Sequence, residues 1–117
     1  MSTININASL GDSDIGINRS ANKSVTTVGN ALDYRRVDAL VTEVVHTIDA
    51  SIGDAGLCMI VNMDDTNFVE VGFATTVYSM KILAGQFALL PLASATSALY
   101  LKADTATCEI DIYIREA

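Results

Sequence analysis

The stretch Ala98-Leu99-Tyr100-Leu101-Lys102-Ala103, followed after Asp104-Thr105-Ala106-Thr107 by Cys108-Glu109-Ile110-Asp111-Ile112-Tyr113-Ile114-Arg115-Glu116, decides the fold class of this chain. Leu99, Leu101 and Ala103 alternate with Tyr100, Lys102 and Asp104, and Ile110, Ile112 and Ile114 alternate with Glu109, Asp111, Tyr113 and Arg115. A period of two sends successive side chains to opposite faces, so each segment reads as a strand with one apolar face. Thr, Tyr and Ile favour a pleated surface, and the residues between the segments tolerate a turn, which predicts a terminal antiparallel hairpin. An apolar sheet face has to be covered, so the rest of the chain is expected to supply the opposing layer.

Upstream of this stretch the same pattern recurs in short pieces. Gln86 to Leu92 reads as a strand that Pro91 confines to an edge or an end, since proline cannot donate to a ladder. Ala84-Gly85 is a turn, and Val77 to Ile82 a further strand. Phe68 to Phe73 alternates, with Val69, Val71 and Phe73 on one face. It is expected to form a second hairpin with Leu57 to Asn62, a continuous apolar run of the kind found in strands covered on both sides. Asn62-Met63-Asp64-Asp65-Thr66-Asn67 turns the chain between them, because Asn and Asp side chains bond to their own backbone. Gly53-Asp54-Ala55-Gly56 is another turn. In Ala39 to Ile52 the abundance of Val, Thr and Ile favours a strand over the helical spacing of Val41, Val44, Val45 and Ile48. Ala31 to Val37 reads as a loop or a single helical turn. At the start, Thr3 to Leu10 gives a short strand, Asn18 to Ser24 a polar and basic loop or exposed arm, and Val25 to Val28 a resumed strand.

Eight or nine such segments at regular spacing predict an all-β chain. The expected architecture is an antiparallel β-sandwich, jelly-roll-like or Ig-like, of about eight strands. Residues 1–30 form an extended N-terminal strand or arm region and 31–117 the sandwich core of what is one domain overall.

Composition narrows the function classes. The chain has 117 residues, room for a single core. Charged residues make only 18% against an average near ~25%, which fits either an exposed face rich in Thr, Ser and Asn or, the favoured reading, surface buried against other chains. A net charge of −7 with scattered Lys and Arg argues against a nucleic-acid partner. No run of ~18 apolar residues is present, so no membrane partner is expected. The start of the chain lacks the basic and apolar regions of a signal peptide, and Cys58 and Cys108 sit in apolar contexts. Synthesis in a reducing cytosol with two buried free thiols is therefore expected.

No catalytic, cofactor or metal site is expected. Every nucleophilic scheme would pass through His46, the one histidine, which lies among Val44, Val45 and Ile48 and reads as a packed or surface residue. Asp64-Asp65 belongs to a turn, and Glu109 with Asp111 projects from the polar face of a strand, where carboxylates serve solvation. Asn62, Asp64, Asp65 and Asn67 lack the spacing of a calcium loop. Exposed aromatic candidates for sugar stacking, Tyr34, Tyr78, Tyr100 and Tyr113, are dispersed.

The order Asn62-Met63-Asp64-Asp65-Thr66-Asn67-Phe68-Val69-Glu70-Val71-Gly72, then Ala84-Gly85-Gln86-Phe87-Ala88-Leu89-Leu90-Pro91-Leu92, then Leu99-Tyr100-Leu101-Lys102-Ala103 resembles small virion proteins of tailed bacteriophages. These carry an N-x-D-x-T-N-[FY]-V-x-[VI]-G turn and strand, a G-x-F-x-x-x-x-L strand and an L-Y-x-K-A strand. The resemblance covers about residues 56–117. It implies a non-enzymatic cement or decoration protein on the capsid exterior, made in the host bacterial cytoplasm. Its implied partners are the major capsid protein and itself, as a homotrimer. A tail or head-tail connector component, or a receptor- or carbohydrate-binding β module, is the alternative. On this reading the N-terminal region supplies arms to neighbouring subunits, with Arg19, Lys23, Arg35 and Arg36 as the expected partner contacts.

Overall fold

The structure, a computed structural model, describes residues 2–29 and 31–117. Its described residues contain strands only, in chain order β1 (Ser2–Asp12), β2 (Ile17–Thr27), β3 (Leu32–Ala39), β4 (Val44–Thr47), β5 (Ala55–Asn62), β6 (Val69–Gly72), β7 (Met80–Ile82), β8 (Phe87–Pro91), β9 (Ala98–Ala103) and β10 (Cys108–Glu116). They gather into two compact units, residues 1–30 and 31–117. In the second unit the strands form two four-stranded antiparallel sheets, ordered β3-β10-β5-β8 and β4-β9-β6-β7. Every connection from β3 to β10 except β6–β7 passes from one sheet to the other. This is the strand order of a jelly roll, which decides between the two sandwiches the sequence allowed.

Both strands of the terminal stretch are present, but they do not pair. β9 lies between β4 and β6, and β10 between β3 and β5. The turn at residues 104–107 is therefore a crossover between sheets and not a hairpin loop. Alternation fixes which face of a strand is apolar and says nothing about its neighbour. The two apolar rows still meet, across the sandwich: Leu99, Leu101 and Ala103 from one sheet, Ile110, Ile112 and Ile114 from the other, all essentially inaccessible to solvent. The expected β5–β6 hairpin is likewise a crossover, since β6 pairs with β7 and β9. Val69 and Val71 are buried as expected, whereas Phe73 lies past the end of β6 and is exposed.

Other segments also differ from expectation. Residues 32–39 are a full strand where a loop or helical turn was predicted, because the inner row of β3 carries a buried Asp33 that hides its alternation. Cross-strand contacts with β10 hold it extended: Tyr34 and Tyr113 stack at 4.6 Å, and Arg36 faces Asp111. The predicted strand from Ala39 to Ile52 shrinks to β4, while Ile48 and Ile52 fill the core from the following turn. The predicted strand from Val77 shortens to β7, preceded by a bridge between Ala74 and Val77.

The turn after β5 is built from its own side chains, as its Asn and Asp content predicts. The fully buried Asn62 donates through Nδ2 to the carbonyls of Asn67 (2.9 Å) and Ile82 (3.1 Å) and accepts the Asp64 amide at Oδ1 (3.0 Å). Asp64 Oδ2 in turn accepts the amides of Thr66 (3.0 Å) and Asn67 (2.6 Å). At Gly72 the backbone of Val77 passes so close that a Cβ would lie 1.7 Å from the Val77 carbonyl oxygen, so only glycine fits.

The first unit is a two-stranded hairpin paired in register from Ser2↔Thr27 to Asp12↔Ile17, with Gly16 at φ +75° in its turn. Residues 18–24 are thus strand and not loop. Their polar side chains concealed this, because one row of β2 (Asn18, Ser20, Asn22, Ser24) is wholly polar. Those residues face Gly11, Ser9, Asn7 and Asn5, and Ser24 Oγ donates to Asn5 Oδ1 at 2.8 Å. The opposite face pairs Ile4 with Val25, Ile6 with Lys23, Ala8 with Ala21, Leu10 with Arg19 and Asp12 with Ile17.

Replacing Ile112, at the centre of the core, by Ala is expected to cost about 2–5 kcal/mol in urea unfolding. Lys102→Ala, exposed on the outer face of β9, should stay within about 0.5 kcal/mol of the parent. Equal losses would refute the assignment of faces.

Candidate functional site

The inner rows of the jelly roll are consumed by its core, so interaction chemistry is left to the outer rows. On the β5–β8 half of the first sheet, the register pairs Leu57 with Pro91, Met59 with Leu89 and Val61 with Phe87. None of these packs on the core cluster, whereas their neighbours Ala88 and Leu90 do. They form two adjacent apolar columns on the outside of the sheet, continued by the half-exposed Met63. A strand as uniformly apolar as β5 was expected to be covered on both sides. Within residues 31–117 its outer side is only partly covered: Leu57, Met59, Val61 and Leu89 are half-buried, and Phe87 is 63% exposed.

The outer row of the opposite sheet is different. Glu70 lies beside Lys81 on one side and Lys102 on the other, with Tyr100 next to them, a mixed-charge surface. The contrast marks the β5–β8 face, since an exposed sheet face ordinarily alternates to polar residues.

Edge geometry directs any partner to this face rather than to the strand edge. The bonds Asn62 N to Gln86 O (2.9 Å) and Leu92 N to Gly56 O (2.7 Å) turn the even-numbered residues of β8 toward β5. Pro91, at an odd position, therefore presents its missing donor to the open side of the sheet. Strand addition at that edge would lack a hydrogen bond.

The β3–β10 half of the same face is held together by charge. Arg36 Nε donates to Asp111 Oδ1 at 2.7 Å, its second nitrogen to Oδ2 at 3.0 Å, and a third contact reaches Glu109 at 3.1 Å. The bidentate bond keeps the Asp111 carboxyl below its ordinary range despite its burial and raises the guanidinium further. Asp111 is thus a buried partner, 6% exposed, and not the solvating charge the sequence suggested.

The four expected contact residues do not converge. Arg36 is engaged by Asp111 and Glu109, and Arg35 belongs to the other row of β3, where its charge acts on His46 and Asp49. Only Arg19 and Lys23 share a surface, the apolar face of the β1–β2 hairpin.

The remaining polar groups serve the fold. His46 is packed in the core at 4% exposure, with Nε2 3.3 Å from Asp33 Oδ2, too poorly aimed to make a hydrogen bond, while Asp33 accepts the Asp49 amide at 3.0 Å. Burial lowers the His46 pKa below 6.5, with Asp33 opposing and Arg35 assisting. Cys58 and Cys108 are buried free thiols, as expected, and burial pushes Cys58 up to about 12, leaving it inert. Glu43 accepts from Thr75 Oγ1, Thr76 N and Tyr78 OH at 2.6–2.8 Å, a staple that holds Thr76 at φ 57°. Among the described residues no three His, Cys, Asp or Glu side chains cluster as metal ligands would. A shallow cleft of about 320 Å³ brings the Tyr100 ring and Phe73 beside the hydroxyl groups of Thr96 and Ser97.

No protein-family model, curated protein or solved structure gives a significant match to this chain. What fold and surface define is a jelly-roll β-sandwich with a partly open apolar sheet face over β5 and β8. Sequence reasoning looked for partner contacts among basic residues and passed over Leu57, Met59, Val61, Phe87 and Leu89. The signal was present as two apolar runs without alternation, 57–61 and 87–92.

Protonating His46 opposes folding, because its native pKa lies below the unfolded value. Stability is fully present above about pH 6.5 and is lost as the pH falls from there through the native pKa. Melting temperature should drop between pH 7.5 and 5.5, above the range where carboxylates protonate. His46→Gln should flatten that dependence, and an unchanged slope would show that another group governs it.

Proposed function

We propose that this protein is a structural component of a bacteriophage virion, a homo-oligomeric decoration or cement protein that binds the outside of the capsid through the major capsid protein and stabilises it without catalysis. The observation that carries this reading is the apolar outer face over β5 and β8, which the jelly roll's own strands leave partly open. Such a face is energetically unfavourable in water and becomes stabilising when it is buried in an assembly. Interfaces between stable partners bury roughly 800 Å² on each side, and a flat sheet face on a rigid body suits that scale. The phage assignment rests on the residue pattern over 62–72, 84–92 and 99–103. Its polar and glycine positions, Asn62, Asp64, Asn67 and Gly72, are the residues that shape the β5–β6 crossover and the approach of Val77. Binding only to the assembled shell would stabilise it by mass action.

Purified protein mixed with capsids emptied of DNA should co-sediment in fixed proportion to the shell subunits and raise the temperature at which the shells break. Cryo-electron microscopy should then place it over the whole surface. A few copies at one vertex would favour the tail or connector reading, and absence of binding would contradict a capsid role.

A further inference from the structure

Each of the two units carries an apolar face that its own strands leave open, at least in part: one on the β1–β2 hairpin and one over β5 and β8. On the hairpin, Leu10 is 65% exposed and Val25 36%, and Ile4 and Ile6 are only half-buried. A two-stranded hairpin in water is marginally stable by itself, so its apolar face calls for a covering layer. We propose that the hairpin of one copy docks by its apolar face on the β5–β8 outer face of a second copy of this chain. The proposal deepens the self-association part of the reading above by naming the surfaces in contact, and it holds or fails independently of any capsid.

Charge selects this pairing among the possible self-contacts. Within residues 1–30 Asp12 and Asp14 cancel Arg19 and Lys23, so the whole net charge of −7 resides in 31–117. Joining two bodies face to face sets −7 against −7. Joining two hairpins sets Arg19 and Lys23 of one against those of the other. On the hairpin's apolar face Arg19 and Lys23 outnumber Asp12, so hairpin on body alone sets a net-positive face against a unit of net charge −7, whereas like charges brought together oppose the other two arrangements. The dimensions agree: at ~3.3 Å per residue, the 11 residues of β1 run about 36 Å and the 8 residues of β5 about 26 Å, so the hairpin spans the full length of the receiving columns. Pro91 disfavours the alternative in which the hairpin adds as a strand along β8, since one ladder bond would be missing. The contact joins different surfaces of the two partners, so repeating it with rotation closes a ring.

The test uses sedimentation velocity of the full chain and two variants at exposed positions, Leu10→Asp on the hairpin and Phe87→Asp on the body, with circular dichroism confirming that both remain folded. The parent should be oligomeric and each variant alone monomeric. An equimolar mixture of the two should recover a heterodimer, because each supplies the surface that the other lacks. Reversing both cations, Arg19→Glu with Lys23→Glu, should weaken association about tenfold or more. A monomeric parent would overturn the proposal. So would a Leu10→Asp variant that stays fully oligomeric while Phe87→Asp dissociates, or a mixture that remains monomeric.

Discussion

Everything in residues 31–117 depends on the meeting of two apolar rows, Leu99, Leu101 and Ala103 of β9 against Ile110, Ile112 and Ile114 of β10. Each row lies on an interior strand of its sheet, and the crossover at 104–107 forces the two sheets into opposition. Burial of such side chains contributes about 1.5–3 kcal/mol each, so this seam is a large local source of stability. The other strands attach to it: β3 and β5 flank β10, while β4 and β6 flank β9. Polar groups that the seam encloses are matched to it, as with Asn62 bridging Asn67 and Ile82, or are kept neutral, as with His46.

A small sandwich has limited apolar material, and this one places part of it outside its core. Leu57, Met59, Val61, Phe87 and Leu89 alternate in register with residues that already fill the interior. Their outward placement is a consequence of strand geometry, because β5 is apolar at successive positions and only one of its sides can face β6 and β9. The proposed assembly would supply the cover that the two sheets themselves do not. The low fraction of charged residues agrees with that account, since assembly interfaces are depleted in charge at their centres.

How much of this was legible in the sequence can be argued residue by residue. The all-β class, the strands β5, β8, β9 and β10, the edge position of β8 and the turn chemistry of Asn62 and Asp64 follow from alternation, Pro91 and Asx side chains. Pairing did not follow, because the same alternation serves a hairpin and a crossover equally well. β3 escaped notice since Asp33 and Arg35 occupy its inner row, and β2 since Asn18 to Ser24 show no apolar face of their own until Leu10 and Ile6 stand opposite Arg19 and Lys23. The basic residues chosen as contacts were separated by pairings that no linear pattern reveals, above all Arg36 with Asp111, 75 positions apart.

The central claim, that the β5–β8 outer face is covered in the working state, is tested most directly by oxidative footprinting of its methionines. Met59 and Met63 should oxidise readily in dilute protein and become protected as the protein is concentrated into its assembled form, while Tyr100 on the opposite sheet keeps its reactivity. Equal oxidation of Met59 and Met63 in the dilute and assembled states would contradict the account.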